Sequence, residues 1–270
     1  MLPYVSDSER GILIALKSYF DGSYSGKNWL DCRYMALAGF AAGNEIMTEF
    51  ESGWKAVLAD SRWRPAAPYL HMNELRSESR KSPFSVANGW NGIRRKRLIS
   101  DVVEYLETLD KARSRVFVCG VDVDAVKKRE ASGIKVASPV RFCTHFCPHY
   151  VMAWFAREYP GIVSEAHFYF DRSEPFFYDF HALRKTMESN LFEFSGNREA
   201  WQLVKSITET NMIGAPALQV ADLLAWGTVR QTLAPPTAFL KEIAVIVKRV
   251  IPSSWSRWDD SNLHEATVPQ

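Results

Sequence analysis

Residues 217–229 carry one charged side chain, Asp222, in a run that otherwise has almost no polar face. Such a run predicts a helix buried on nearly all sides, because it presents no surface suited to water. Burying an unpaired carboxylate is costly, so a group in this position binds a proton, pairs with a base or coordinates a cation. The partners of Asp222 therefore bear directly on function.

Three other acids stand at comparable places in the sequence. Asp21 ends the apolar, partly β-branched run 11–21, before the turn formers Gly22 and Ser23. Glu74 lies in Tyr-Leu-His-Met-Asn-Glu-Leu, an expected short ordered piece between prolines and charges, and Asp171 ends an alternating strand-like segment. Together with Asp222, these acids predict one acidic cluster.

Composition favours one globular domain. A chain of 270 residues with 47% hydrophobic and 24% charged side chains can bury a full core. We expect the domain to span residues 1–252, with 253–270 as a poorly ordered tail. A net charge of +2 neither demands nor excludes a nucleic-acid partner. No segment is apolar enough to cross a bilayer and the first residues do not resemble a signal peptide, so we expect a cytoplasmic protein.

Hydrophobic periodicity predicts an α/β fold with a mixed sheet covered by helices. Two strands precede the first helix, and strands and helices then alternate. The expected strands are 11–21, 34–43, 113–123 and 165–171, and the expected helices are 48–60, 91–111, 139–159, a helix from Pro216 and 239–250. Residues 197–211 fit either helix or strand.

Four converging carboxylates would repel one another by roughly 4 kcal/mol per pair at about 4 Å and an effective dielectric near 20. Divalent cations remove this penalty, and Mg²⁺ or Mn²⁺ prefers such oxygen ligands. A site of this kind can hydrolyse a phosphodiester with a metal-activated water. The acids therefore favour a metal-dependent nuclease.

The run Leu-Gln-Val-Ala-Asp-Leu-Leu-Ala at 218–225, with the acids before it, resembles the bacterial family called domain of unknown function 3800. The resemblance covers about residues 19–230. That family is similar to the ribonuclease H-like superfamily, whose acids from a first strand, a central element, a later strand and a C-terminal helix bind Mg²⁺ or Mn²⁺. By resemblance, the metal ligands here are Asp21, Asp171, Asp222 and, as the fourth, Glu74, with His71 as a further ligand or proton carrier.

One departure concerns the first strand. Family members carry Asp-Glu-Ser-Gly where this chain has Asp-Gly-Ser-Tyr, so Gly22 replaces a glutamate. If that glutamate is a ligand, the site is weakened; if it only caps the turn, glycine serves equally well. Glu78 and Glu174 are alternatives to Glu74 as the second acid of the motif.

Nucleic-acid contact is expected at the basic run 94–97, which comprises Arg94, Arg95, Lys96 and Arg97 at the start of a helix. The helix dipole disfavours positive charge there, so a phosphate backbone could explain the run; a solvated face is the alternative. Residues 127–129 carry a similar basic run in an expected loop. The four Cys and His residues between 143 and 149 have the wrong spacing for a closed zinc site on one helix.

The sequence therefore predicts hydrolysis of nucleic-acid phosphodiester bonds. Two alternatives stay open. One is an inactive nucleic-acid-binding or protein-interaction module of the same fold, and the other is a phosphoesterase that acts on small molecules.

Overall fold

The computed structural model describes residues 14–26, 30–60, 66–160, 163–172, 174–188, 201–233, 237–252 and 256–259. Within them, six strands form one sheet. The strands are β1 (Ile14–Tyr24), β2 (Tyr34–Gly43), β3 (Ser114–Asp122), β4 (Val163–Asp171), β5 (Val204–Thr210) and β6 (Ser256–Trp258). Their order across the sheet is β5-β4-β1-β2-β3-β6.

The sheet is mixed. β2 runs antiparallel to β1 and β3, while β4 is parallel to β1, β5 to β4 and β6 to β3. The predicted α/β fold with a mixed sheet flanked by helices is therefore confirmed.

Helices cover both faces of this sheet. They are α1 (Asn44–Leu58), α2 (Met72–Leu75), α3 (Gly92–Thr108), α4 (Val123–Ala131), α5 (Pro139–Glu158), α6 (Pro175–Glu188), α7 (Pro216–Thr232) and α8 (Ala238–Val247). One core forms between the sheet and α1, α3, α7 and α8, and the other between the sheet and α4, α5 and α6.

Helix α7 is the buried helix that the sequence predicts. It begins at Pro216, whose fixed backbone angle suits a first helical turn, and its residues from 216 to 229 are all buried. It packs on β1 and β2. Asp222 is 5% exposed, so its carboxylate lies inside the core.

Strand β1 extends further than its sequence indicates. The expected turn at Gly22 is wrong, because β1 continues to Tyr24 and pairs with β2 as far as Met35. Asp21 therefore lies within the strand, opposite Ala38. Pairing with β2 satisfies the backbone beyond Asp21, which outweighs the turn tendency of Gly22 and Ser23.

Two other expectations need correction. Residues 127–129 lie in α4 and not in a loop. Residues 256–258 form β6, which pairs with β3 at the edge of the sheet, so this part of the predicted tail belongs to the domain. Residues 197–200 lie outside the described residues, and 204–210 form β5.

No helix in the described parts of the chain combines the length and apolar character needed to cross a bilayer.

Candidate functional site

Strand register brings Asp21 and Asp171 to neighbouring positions. β1 and β4 are parallel and pair up to Phe20 and Phe170, the residues just before the two aspartates. Side chains alternate along a strand, so residues two apart share a face. Tyr19 and Tyr169 stack on one another at 4.7 Å between ring centroids, which shows that these positions of the two strands face the same side.

Asp21 is the most strongly perturbed of the predicted ligands. It is 3% exposed, and this burial is the main cause that raises its pKa well above the ordinary 3.8. The negative charges of Glu174, Asp222 and Asp171 raise the pKa further, in that order. The backbone amide of Gly22 donates a 2.7 Å hydrogen bond to Oδ1 and lowers it. Asp21 thus interacts with three other carboxylates.

Asp222 joins this group from helix α7. Burial is the main cause that raises its pKa to about 6, and Asp171 raises it as well. The positive charge of His71 and a hydrogen bond from the backbone amide of Met72 to Oδ2, 2.6 Å long, lower it. The segment before α2 therefore holds this carboxylate in place.

Asp171 lies at the more open side of the cluster, where it is half-buried. Burial raises its pKa, while hydrogen bonds from the backbone amides of Arg172 and Met212, together with the charge of His71, lower it. Backbone amides and a histidine thus counter part of the repulsion between the acids. Asp171 is also among the charges that act on Asp21 and Asp222, so the three aspartates interact electrostatically, while their convergence on one cation stays a prediction.

A fourth acid, Glu174, also belongs to this group. Burial, then the charges of Asp171 and Asp222, raise its pKa to about 8. Its Oε2 atom is buried and has no hydrogen-bond partner. Sequence reasoning named Glu174 only as an alternative, although its position three residues after Asp171 and just before Pro175 is a usable signal.

Glu74 and His71 lie beside the cluster, on and before the single-turn helix α2. The hydroxyl of Tyr69 donates a hydrogen bond to the Glu74 carboxylate. Burial and this bond raise the pKa of Tyr69 to about 12. No described hydrogen bond or leading electrostatic interaction joins Glu74 to the three aspartates, so its role as fourth ligand stays a prediction. His71 is half-buried and acts electrostatically on Asp171 and Asp222.

Gln219 is a structural residue of the site that sequence reasoning missed. Its Oε1 atom accepts hydrogen bonds from the backbone amide of Leu70 and from Nε1 of Trp54, each 2.8 Å long. Its Nε2 atom donates to the carbonyl oxygen of Met212 at 3.0 Å. The side chain of Gln219, one turn before Asp222, therefore connects two segments of the chain. The segment of Leu70 supplies a backbone amide to Asp222, and that of Met212 supplies one to Asp171.

The basic run at the start of α3 is largely engaged within the protein. Arg94 donates to the carbonyl of Gly89 at 2.5 Å, and Lys96 forms a 2.7 Å ion pair with Glu242. Arg95 is 6% exposed, so it does not offer its charge to a partner. Arg97 is exposed. The run as a whole therefore gives no support to nucleic-acid contact.

The donor chemistry of the cluster fits a hard divalent cation, since every member offers carboxylate oxygen and one oxygen, on Glu174, is buried without a partner. As their side chains stand, no three His, Cys, Asp or Glu residues of the described chain are close enough together to hold one ion. Mg²⁺ usually keeps several water ligands and takes one or two carboxylates directly. The types of these residues, though not their present side-chain positions, therefore suit a partly hydrated cation.

No protein-family model matches this chain, and no curated protein or solved structure matches it significantly either.

Proposed function

We propose that this chain is a ribonuclease H-like, divalent-metal-dependent nuclease that hydrolyses phosphodiester bonds in nucleic acid. The observation that supports the proposal is the electrostatic interaction among Asp21, Asp171 and Asp222, which come from the first strand, a later strand of the parallel half and a C-terminal helix. This chain order agrees with the resemblance to the ribonuclease H-like superfamily. A group of buried carboxylates is stable only when protons or cations offset the repulsion between their charges.

The three aspartates would hold Mg²⁺ or Mn²⁺. When bound, the cation supplies a Lewis acid that polarises the phosphate and lowers the pKa of water. Asp21 interacts with each of the other acids, so it is the candidate to contact two ions. The hydrogen bond from the backbone amide of Met72 orients the Asp222 carboxylate in the absence of a cation, so this ligand is preorganised.

His71 is a candidate to take part in the reaction. It is half-buried and close enough to Asp171 and Asp222 to lower the pKa of both. An imidazole is a common general acid and hydrogen-bond donor, so His71 is a candidate to donate a proton to the leaving oxygen or to contact the substrate phosphate. We assign it one of these roles.

Two steps test the function. In the first, Mn²⁺ should raise the melting temperature of the wild type and leave that of Asp222→Asn unchanged, because binding to the folded state alone stabilises it. No shift of the wild type would favour an inactive module of this fold.

In the second step, wild type is incubated with labelled single-stranded, duplex and hybrid nucleic acids and with small phosphoesters. We expect cleavage of at least one nucleic acid. Turnover of small phosphoesters alone would instead indicate a phosphoesterase, and undiminished cleavage by Asp171→Ala would show that a contaminant is responsible.

A further inference from the structure

The backbone position and the surroundings of Glu174 are those expected of a metal ligand in the absence of its cation. It lies between Asp171 at the end of β4 and Pro175 at the start of α6, and its carbonyl accepts a 3.2 Å hydrogen bond from the amide of Phe177. A residue before proline is biased toward extended backbone, which keeps Glu174 outside the helix. Its side chain can therefore turn back toward the sheet.

Gly22 provides the space that this side chain uses. A β-carbon at position 22 would lie 2.8 Å from Oε2 of Glu174 and 2.2 Å from Cε2 of Phe176. Both distances are shorter than real contacts allow, so no larger residue at position 22 is compatible with the present position of the Glu174 carboxylate. The glycine next to Asp21 thus admits an acid from another part of the chain.

The Glu174 carboxylate is poorly satisfied by the protein. Its Oε2 atom is buried without a hydrogen-bond partner, which is costly for a carboxylate. Glu74, the other candidate, differs in this respect because its carboxylate accepts a hydrogen bond from Tyr69. Only Glu174 of these two is among the charges that act on Asp21 most strongly.

We propose that Glu174, rather than Glu74, is the fourth carboxylate ligand of the divalent-cation site, and that the absence of a side chain at Gly22 gives its carboxylate room beside β1. This inference rests on the proposed metal-dependent function. It assigns a direct contact with the cation to a residue that lies outside the motif around Asp222.

The test measures Mn²⁺ affinity by calorimetry for the wild type and for Glu174→Gln, Glu74→Gln and Glu130→Gln. Glu130 is an exposed residue of α4 and serves as the matched control. Glu174→Gln should weaken Mn²⁺ binding at least about tenfold, a loss typical of damage to a metal site. Glu74→Gln should weaken it less, and Glu130→Gln should behave as the wild type.

A second readout separates direct ligation from a through-space effect of charge. Broadening of the Mn²⁺ EPR spectrum in oxygen-isotope-enriched water reports the number of water ligands. If Glu174 binds the cation, saturating Mn²⁺ on Glu174→Gln carries one more water than on the wild type. Because glutamine keeps the shape and removes a repelling charge, the metal-free variant should unfold at a temperature no lower than that of the wild type.

The outcomes distinguish this inference from the function on which it rests. Wild-type affinity and water count in Glu174→Gln, with Mn²⁺ binding intact, would overturn the assignment of Glu174 alone. A greater loss in Glu74→Gln than in Glu174→Gln would overturn it in favour of Glu74. Failure of the wild type to bind Mn²⁺ would overturn the proposed function and this inference together.

Discussion

The backbone amide of Met72 donates a 2.6 Å hydrogen bond to Oδ2 of Asp222, which lies 150 residues further along the chain. This bond ties the segment before α2 to the middle of the buried helix α7. Gln219, one turn earlier on the same helix, accepts from Leu70 in that segment. Helix α7 therefore carries the candidate ligand Asp222 and, through Gln219, also fixes the backbone segment whose amide orients that ligand.

The first prediction concerns Gln219→Leu. The substitution leaves buried partners on Leu70, Trp54 and Met212 without their hydrogen bonds, and each such group costs roughly 1–3 kcal/mol. We expect the free energy of unfolding in urea to fall by about 3 kcal/mol or more. Gln202→Leu, at an exposed position, should change it by less than about 0.5 kcal/mol. Equal effects of the two substitutions would contradict this role of Gln219.

The second prediction concerns the close packing at Gly22. Gly22→Ala forces Phe176 or Glu174 to move, and overpacking of this kind costs about 1–3 kcal/mol. The control is Gly214→Ala, where an added β-carbon meets nothing within 4 Å. Chemical denaturation of both variants tests the prediction, which is wrong if Gly22→Ala is as stable as Gly214→Ala.

The third prediction concerns pH. The pKa of Glu174 is about 8 in the folded protein against an ordinary 4.5, so between these values the unfolded chain loses a proton that the folded chain keeps. The contribution of Glu174 to the stability of metal-free protein is therefore lost progressively as pH rises through this window. Glutamine at position 174 removes this loss.

Unfolding of wild type and Glu174→Gln in EDTA, over a series of pH values, measures this difference. The stability of the variant relative to wild type should be constant below about pH 4.5, rise by up to about 1.4 kcal/mol per pH unit, and level off above about pH 8. A difference independent of pH would show that Glu174 titrates normally.

The fourth prediction concerns His71. If it transfers a proton, His71→Ala should lower kcat by about 10²–10⁴-fold while Mn²⁺ still binds. His181→Ala, on helix α6, serves as a control, because His181 contacts the ring of Phe177 and is not among the leading charges that act on the three aspartates. Single-turnover cleavage and Mn²⁺ titration give the two quantities. An unchanged kcat in His71→Ala would exclude this role.

Much of this site could be predicted because its signals are local. The apolar residues around Asp222 require a buried helix, and the alternation that ends at Asp171 requires a strand. The position of Glu174 before Pro175 is a local signal, but its contacts could not be predicted, because they depend on the space beside Gly22, which is distant in sequence.

The predictions for the end of β1 and for the basic run were unsuccessful for a related reason. Gly22 and Ser23 have turn tendencies of their own, but pairing with β2 carries the strand beyond them. From the sequence, Arg95 is expected on a solvated or phosphate-binding face. In the structure its position on α3 makes it face the core, where it is buried. In each case tertiary packing outweighs local composition.

Anomalous scattering from Mn²⁺ in crystals of the wild-type protein tests the central claim most directly. The account predicts an anomalous peak within coordination distance of the carboxylates of Asp21, Asp171, Asp222 and Glu174, and no such peak in crystals of Asp222→Asn. Crystals grown with excess Mn²⁺ that show no peak at these carboxylates would contradict it.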